Sequence, residues 1–408
     1  MYQFKHKKYI FLVSSMLLLN SCQSSSSSNN DNSSSNATAT SNDSLPESTA
    51  INKKIDTFMN GIINKKRVPG AVFAVAKENK VLYTKAFGVR NMDTQKKVNK
   101  DTLFHIGSTH KAITSLLIAI LVDEGVLTWD TKAQDIYEDF TLSDETYASQ
   151  ITIRQLLDMS AGFPEEYDNP PSEARGLLEE LTDISLNPPR SEYAYSNVSV
   201  SIAGYLAVLA HAKFKKGSIS TEDLDKLHAG YEKLLREKVL VPIGMKSSYL
   251  YIDEAKATNR MSSSHYLKNG TFRVAESEDA QVDIFAPSGG LKSTVTDMIK
   301  YIMVEAQQGV TAEGKRIVSK KNMLVRQTLS KGVSTEEKYG LCLEIKTLDN
   351  GMPYIGIIGS FDNFNSTIGF FPNQKVSFVL LTNAQSKDIE NLTGDEIEDQ
   401  MAQWVNQF

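Results

Sequence analysis

The chain has 408 residues, 41% of them hydrophobic and 23% charged, which is ordinary globular composition with room for one large or two modest domains. Its formal net charge is -5, and no clustered basic excess marks it as a nucleic-acid binder.

The first residues read as an export signal. Lys5, Lys7 and Lys8 precede a short apolar run, Tyr9 to Leu19. That run falls short of the roughly 20 apolar residues that an untilted membrane-spanning helix needs. Leu19-Asn20-Ser21-Cys22 follows and is similar to a bacterial lipobox; the plainer alternative is a signal peptide with an incidental cysteine. With residues 1–21 as signal, Cys22 is the expected lipidated N-terminus and the expected contact with a membrane. Residues 22–50 are rich in Ser and Asn, with almost no large apolar side chain. They bury too little to offset chain entropy and are expected to form a disordered tether. The second cysteine, Cys342, then has no partner, and its apolar setting (YGLCLEI) predicts a buried core residue.

The folded part is expected over 51–408. Ala71 to Gly88 holds two β-rich runs around Lys77-Glu78-Asn79-Lys80 and reads as a hairpin. Apolar spacing at helical period predicts helices over Lys111–Glu124, Ile153–Met159, Ser199–Ala212 and Thr221–Val241. Strands are predicted at Tyr339–Ile345, Tyr354–Gly359, Asn365–Phe371 and Val376–Thr382, and a last helix over Asp388–Trp404. Strands at both ends with helices between predict an α+β fold. One antiparallel sheet is built from both chain ends and flanked by helices, with an inserted helical subdomain over roughly 112–285.

The chemistry concentrates at two places. Ser108 precedes a strongly helical run, where an unpaired backbone N–H and the helix dipole favour an oxyanion. Lys111, three residues on, lies on the same helical face and can take or stabilise the hydroxyl proton. The plainer reading is an N-capping serine with a surface lysine. His110, between them, points to another face and is expected to be structural. Tyr195-Ser196-Asn197 stands at the entry of a second helix. Tyr195 can carry a proton if a cation favours its phenolate, and Asn197 can hold a carbonyl or support Lys111. The plainer reading makes Tyr195 a core aromatic and Asn197 the helix cap. A rival Tyr-x-Asn at Tyr167 to Asn169 runs into Pro170-Pro171 and reads as a loop.

With these motifs in place, the chain resembles the serine β-lactamase and D-Ala peptidase superfamily, nearest the branch with S-x-x-K and Y-x-N that holds class C β-lactamases, D-aminopeptidases and esterases. Thr102 to Gly107, Asp123 to Leu127, Ile151 to Leu157, Ser160 to Gly162, Pro242 to Met245 and Ser288 to Thr294 add to the likeness. The resemblance implies a hydrolase that works through an acyl-enzyme without cofactor or metal, on a small-molecule or peptide ester or amide, β-lactams included. It implies Ser108, Lys111 and Tyr195 as catalytic and Asn197 as substrate-binding. The family's third motif, a cation two residues before a glycine, falls on Ile357 and Gly359, and the resemblance implies that both, with Ser360, are substrate-binding positions. The cation is lost. Gly359 is expected to let substrate lie against the strand, and Ser360 maps to the second oxyanion donor. The lost cation also leaves open a catalytically weak or inactive protein that binds wall peptides or a protein partner.

Overall fold

The computed structural model describes residues 50–65, 68–164, 170–189, 192–275, 284–330, 339–384 and 395–408. The signal, Cys22, most of the tether and the rival Tyr167–Asn169 triplet lie outside these residues.

A helix the sequence reading did not anticipate opens the fold: α1, Ala50–Asn64, starting at the last residue assigned to the tether. It buries Ile51, Ile55, Met59 and Ile62, a stripe at helical period. The hairpin follows as β1 (Gly70–Lys77) and β2 (Lys80–Gly88). The C-terminal part supplies β3 (Glu344–Thr347), β4 (Pro353–Phe361), β5 (Phe364–Phe371) and β6 (Val376–Thr382). All pair antiparallel in the spatial order β2-β1-β6-β5-β4-β3, so the expected sheet built from both ends is present.

Both sheet faces are covered, which is why its central strands read as continuous apolar runs. On β1, Ala71, Phe73 and Val75 enter one cluster with α1 and the C-terminal helix Asp395–Trp404, while Val72, Ala74 and Ala76 enter the other with the helical part. The central helices include α2, Thr109–Asp123, and α3, Asn197–Lys216.

Three predicted elements differ. The run Thr221–Val241 divides into Thr221–Asp225 and Leu227–Leu235, then widens to a π-turn over Arg236–Leu240. Pro242, near the start of the next short helix, has no N–H to continue an α-helical ladder, and Val241 N bonds five residues back to Arg236 O. The strand expected from Tyr339 begins regularly only at Glu344, because Cys342 takes a left-handed backbone (φ 61°) that breaks the extended run. The helix expected over Ile153–Met159 ends at Leu157, and Met159 also has positive φ.

Candidate active site

Ser108 stands at the turn into α2. Its backbone is already helical (φ -61°, ψ -13°) and its side chain makes no cap bond, so it is not an N-capping serine. The following N–H groups of Thr109, His110 and Lys111 bond to the carbonyls of Ile106, Gly107 and Ser108. Among the described residues the Ser108 N–H has no acceptor, which leaves it for a ligand oxygen.

Lys111 is fully buried rather than a surface side chain. Its Nζ meets Ser108 Oγ at 2.9 Å, Asn197 Oδ1 at 2.6 Å and the Ser288 carbonyl at 3.0 Å. Burial pulls its pKa down to about 7. The ammonium form fills all three contacts as donor. The neutral amine has two N–H groups, and two partners, an amide oxygen and a backbone carbonyl, are acceptors alone. They take both, so the nitrogen lone pair is left facing Ser108.

Tyr195 Oη donates to Ser108 Oγ at 2.5 Å, and Lys111 Nζ lies 4.8 Å from the Tyr195 ring centroid. The strand-like segment that carries Tyr195 is tied down by Ala194 N to Met159 O and Ser196 N to Met159 Sδ. Ser196 then caps α3 through Ser199 N, which leaves Asn197 free of capping and turned to Lys111. So Ser108, Lys111, Tyr195 and Asn197 meet although 86 residues separate Lys111 from Asn197.

His110 is structural, as expected. It is buried, contacts Tyr231 Oη at 3.1 Å, and burial followed by the Lys111 charge pulls its pKa down to about 3. Cys342 is a buried core residue, its thiol pushed up to about 12 by burial. Ser288 is a site member that sequence reasoning missed. It lies in the stretch Ser288 to Thr294, but its contribution is a backbone carbonyl, for which side-chain identity gives no signal.

The third-motif strand needs two corrections. Gly359 does not open space for substrate. A Cβ there would fall 2.3 Å from Ile106 O and 2.7 Å from Thr109 N, so the glycine lets β4 lie against the turn that carries Ser108. Gly107 (φ 49°) does the same from the other side, since a Cβ on it would meet Ser360 O at 2.5 Å. Ile357, expected to touch substrate, is 2% exposed and packs into the core on the α2 face of β4. Ser360 lies on the cavity wall with Ser108. The cavity holds about 380 Å³, within the usual range for ligand pockets, and Gly107, Ser108, Asn197, Ser288, Ser360 and Phe361 line part of it.

The sequence also matches the family model described as Beta-lactamase, over residues 51–400. The chain belongs to the beta-lactamase family. Relatives within reach of this beta-lactamase-family chain include unguisins hydrolase ungD' of Aspergillus campestris, 28% identical over 51% of this chain and 38% of that protein. Penicillin-binding protein 4 of Amycolatopsis lactamdurans is 25% identical over 78% of this chain and 81% of its own. Protein flp of Staphylococcus aureus is 24% identical over 83% of this chain, which spans 64% of that protein. Among solved structures, an octameric penicillin-binding protein homologue from Pyrococcus abyssi superposes with a TM-score of 0.67 at 23% identity, covering 82% of this chain and 73% of its own; this likeness is one of fold. Family membership supports serine hydrolase chemistry in general.

Proposed function

We propose that this protein is a serine hydrolase acting through an acyl-enzyme on uncharged esters or amides. The observation that carries the reading is the contact of Ser108 Oγ with both Tyr195 Oη and a buried Lys111 whose pKa lies near 7. With Lys111 neutral, Ser108 Oγ attacks the carbonyl carbon and its proton passes to Nζ. The Ser108 N–H, with the N–H of Ser360, holds the oxyanion. Tyr195 hands its phenol proton to the leaving atom and regains one from Lys111. Water then releases the acyl group by the same route in reverse.

The cavity lining supports the restriction to uncharged substrates: among the described residues no Lys, Arg or His side chain lines it, and Ile357, where the family has its cation, is sealed in the core. A cation on the wall could bind a substrate carboxylate through a charge-assisted hydrogen bond worth roughly 1.5–3 kcal/mol, and this wall offers none. Weak or absent β-lactamase activity is therefore expected. The test is a panel of short-chain nitrophenyl esters, D-amino-acid amides and nitrocefin, with a fluorescent fluorophosphonate alongside. Ser108-dependent labelling and ester turnover support the reading, and turnover that persists in Ser108→Ala sinks it.

The same lost cation favours a second reading, a non-catalytic protein that binds wall peptides or a protein partner in this cleft. A protein that does not label with fluorophosphonate but binds such a peptide supports it. The lipobox-like run and polar tether support a third element, export with a lipid anchor on Cys22. Cys22→Ala should move the protein from the membrane to the soluble exported fraction; retention on membranes after a high-salt wash overturns the anchor.

A further inference from the structure

Resting on the acyl-enzyme reading above, the geometry points to an apolar acyl pocket: we propose that the substrate carries an uncharged alkyl or aryl group on its carbonyl, and that Phe361 selects it. The cavity beside Ser108 is walled by Pro170, Pro171, Ile284, Phe285 and Phe361. Among the described residues no Lys, Arg, His, Asp or Glu side chain lines it. A carboxylate entering this space would give up its hydration with no cation in return, whereas a hydrocarbon group gains by leaving water.

Phe361 is placed to read the group next to the carbonyl. It follows Ser360, whose backbone abuts Gly107 beside the nucleophile. Its ring is braced from behind by His105, with centroids 4.5 Å apart and planes at 32°, and His105 in turn packs on Phe364 at 5.3 Å. His105 lies in the short strand Phe104–His105 that leads into the nucleophile turn. The ring is thus tied to the same piece of backbone as Ser108, and a braced wall discriminates shape better than a mobile one. The leaving atom must meet Tyr195 Oη to receive its proton. Neither Tyr195 nor Lys111 is among the residues of the apolar wall, so the other substituent of the carbonyl, the acyl chain, faces Phe285 and Phe361.

The reaction balances without a co-reactant other than water. For R–CO–OR′, the bond from Ser108 Oγ to the carbonyl carbon forms and the bond from that carbon to OR′ breaks. R′O leaves with the phenol proton of Tyr195, which the proton from Ser108 replaces by way of Lys111. Water then cleaves R–CO–O–Ser108 to the acid and restores the serine hydroxyl. R is the group on the apolar wall.

The experiment compares nitrophenyl acetate, butyrate, hexanoate, benzoate and hemisuccinate with the full chain, holding the leaving group constant. Each fully buried methylene raises kcat/KM by up to about fourfold, so a partly open wall should give about tenfold from acetate to hexanoate. Benzoate should exceed acetate, and hemisuccinate should fall at least about tenfold below butyrate. Phe361→Ala should reduce the hexanoate-to-acetate ratio toward one, and Phe361→Leu, which keeps the wall apolar, should retain part of it. Fluorophosphonate labelling and thermal unfolding of both variants report whether the site and fold survive. A flat or falling chain-length profile in a wild type with Ser108-dependent acetate turnover overturns the pocket but keeps the hydrolase. Selectivity that follows the alcohol rather than the acyl group overturns it as well. Absence of any Ser108-dependent labelling or turnover overturns both.

Discussion

The two walls that meet at Ser108 are built from different materials. The α2 side is a dense side-chain network: Ser108, Lys111, Tyr195 and Asn197 touch one another, and Lys111 uses all three of its contacts. The β4 side works through backbone and the absence of side chains. Gly359 and Gly107 let strand and turn approach until no Cβ fits, while Ile357 is sealed in the core. The contrast separates two requirements. On the proposed mechanism, moving a proton demands particular side chains on the α2 wall, whereas holding an oxyanion demands only that two backbone segments lie close, so the β4 wall can lack a cation and keep its place.

The contrast breaks outright if Ser108→Ala retains turnover. The expected loss is about 10⁴-fold or more, measured as initial ester hydrolysis, with the thermal transition unchanged. Lys111→Ala and Tyr195→Phe should each lower kcat by about 10²–10⁴-fold. Their double mutant should be little worse than the worse single, because groups that move one proton together are not additive. Additive losses would show that the network does not act as a unit.

On the opposite wall the effects should come from geometry. Gly359→Ala should cost about 10²-fold in kcat and lower the thermal transition, since its Cβ would force β4 away from Ile106 and Thr109. A neutral outcome would mean that the two segments can part without cost. Ile357→Lys or Ile357→His sharpens the comparison from the core side of the backbone wall. A cation buried there should lower the thermal transition by several degrees, and the ratio of nitrocefin to acetate-ester turnover should stay unchanged, because the position does not border the cavity. A rise of about tenfold in that ratio would show that the position reaches substrate.

The smallest expected effect is on pH. On the proposed mechanism a neutral Lys111 takes the serine proton, so activity should rise with pH around a midpoint near 7. Stability follows with a definite sign. The folded pKa lies below the unfolded lysine value of about 10.4, so between those two values the unfolded chain binds the extra proton and stability rises with pH. Below about 7 both states are protonated, and the burden of the buried ammonium is constant. Lys111→Met should therefore raise the melting temperature, by more at pH 6 than at pH 10, while abolishing the activity limb. Equal shifts at both pH values would contradict the lowered pKa.

How much of this was legible depended on the range of the signal. The hairpin at Ala71–Gly88 and the strand Val376–Thr382 were readable because turn residues and β-rich runs are local. The helix α1 was missed although its apolar stripe has regular spacing, because it abuts the Ser/Asn-rich tether. The break at Cys342 carries no local signal, since a cysteine rarely takes positive φ and only its surroundings hold it there.

The sequence by itself determined which side chains were available: a serine three residues before a lysine at a helix start, a Tyr-x-Asn at another, and a glycine kept where a cation had gone. Helix periodicity alone puts Ser108 and Lys111 on one face. Only the tertiary structure decided that Lys111 is buried and not on the surface, that Asn197 serves the lysine and not the helix end, and that Ser288 contributes a carbonyl. It also decided that Gly359 makes room for the turn that carries Ser108. These are contacts between segments tens to hundreds of residues apart, and burial and backbone approach belong to the packed molecule, not to any stretch of the chain.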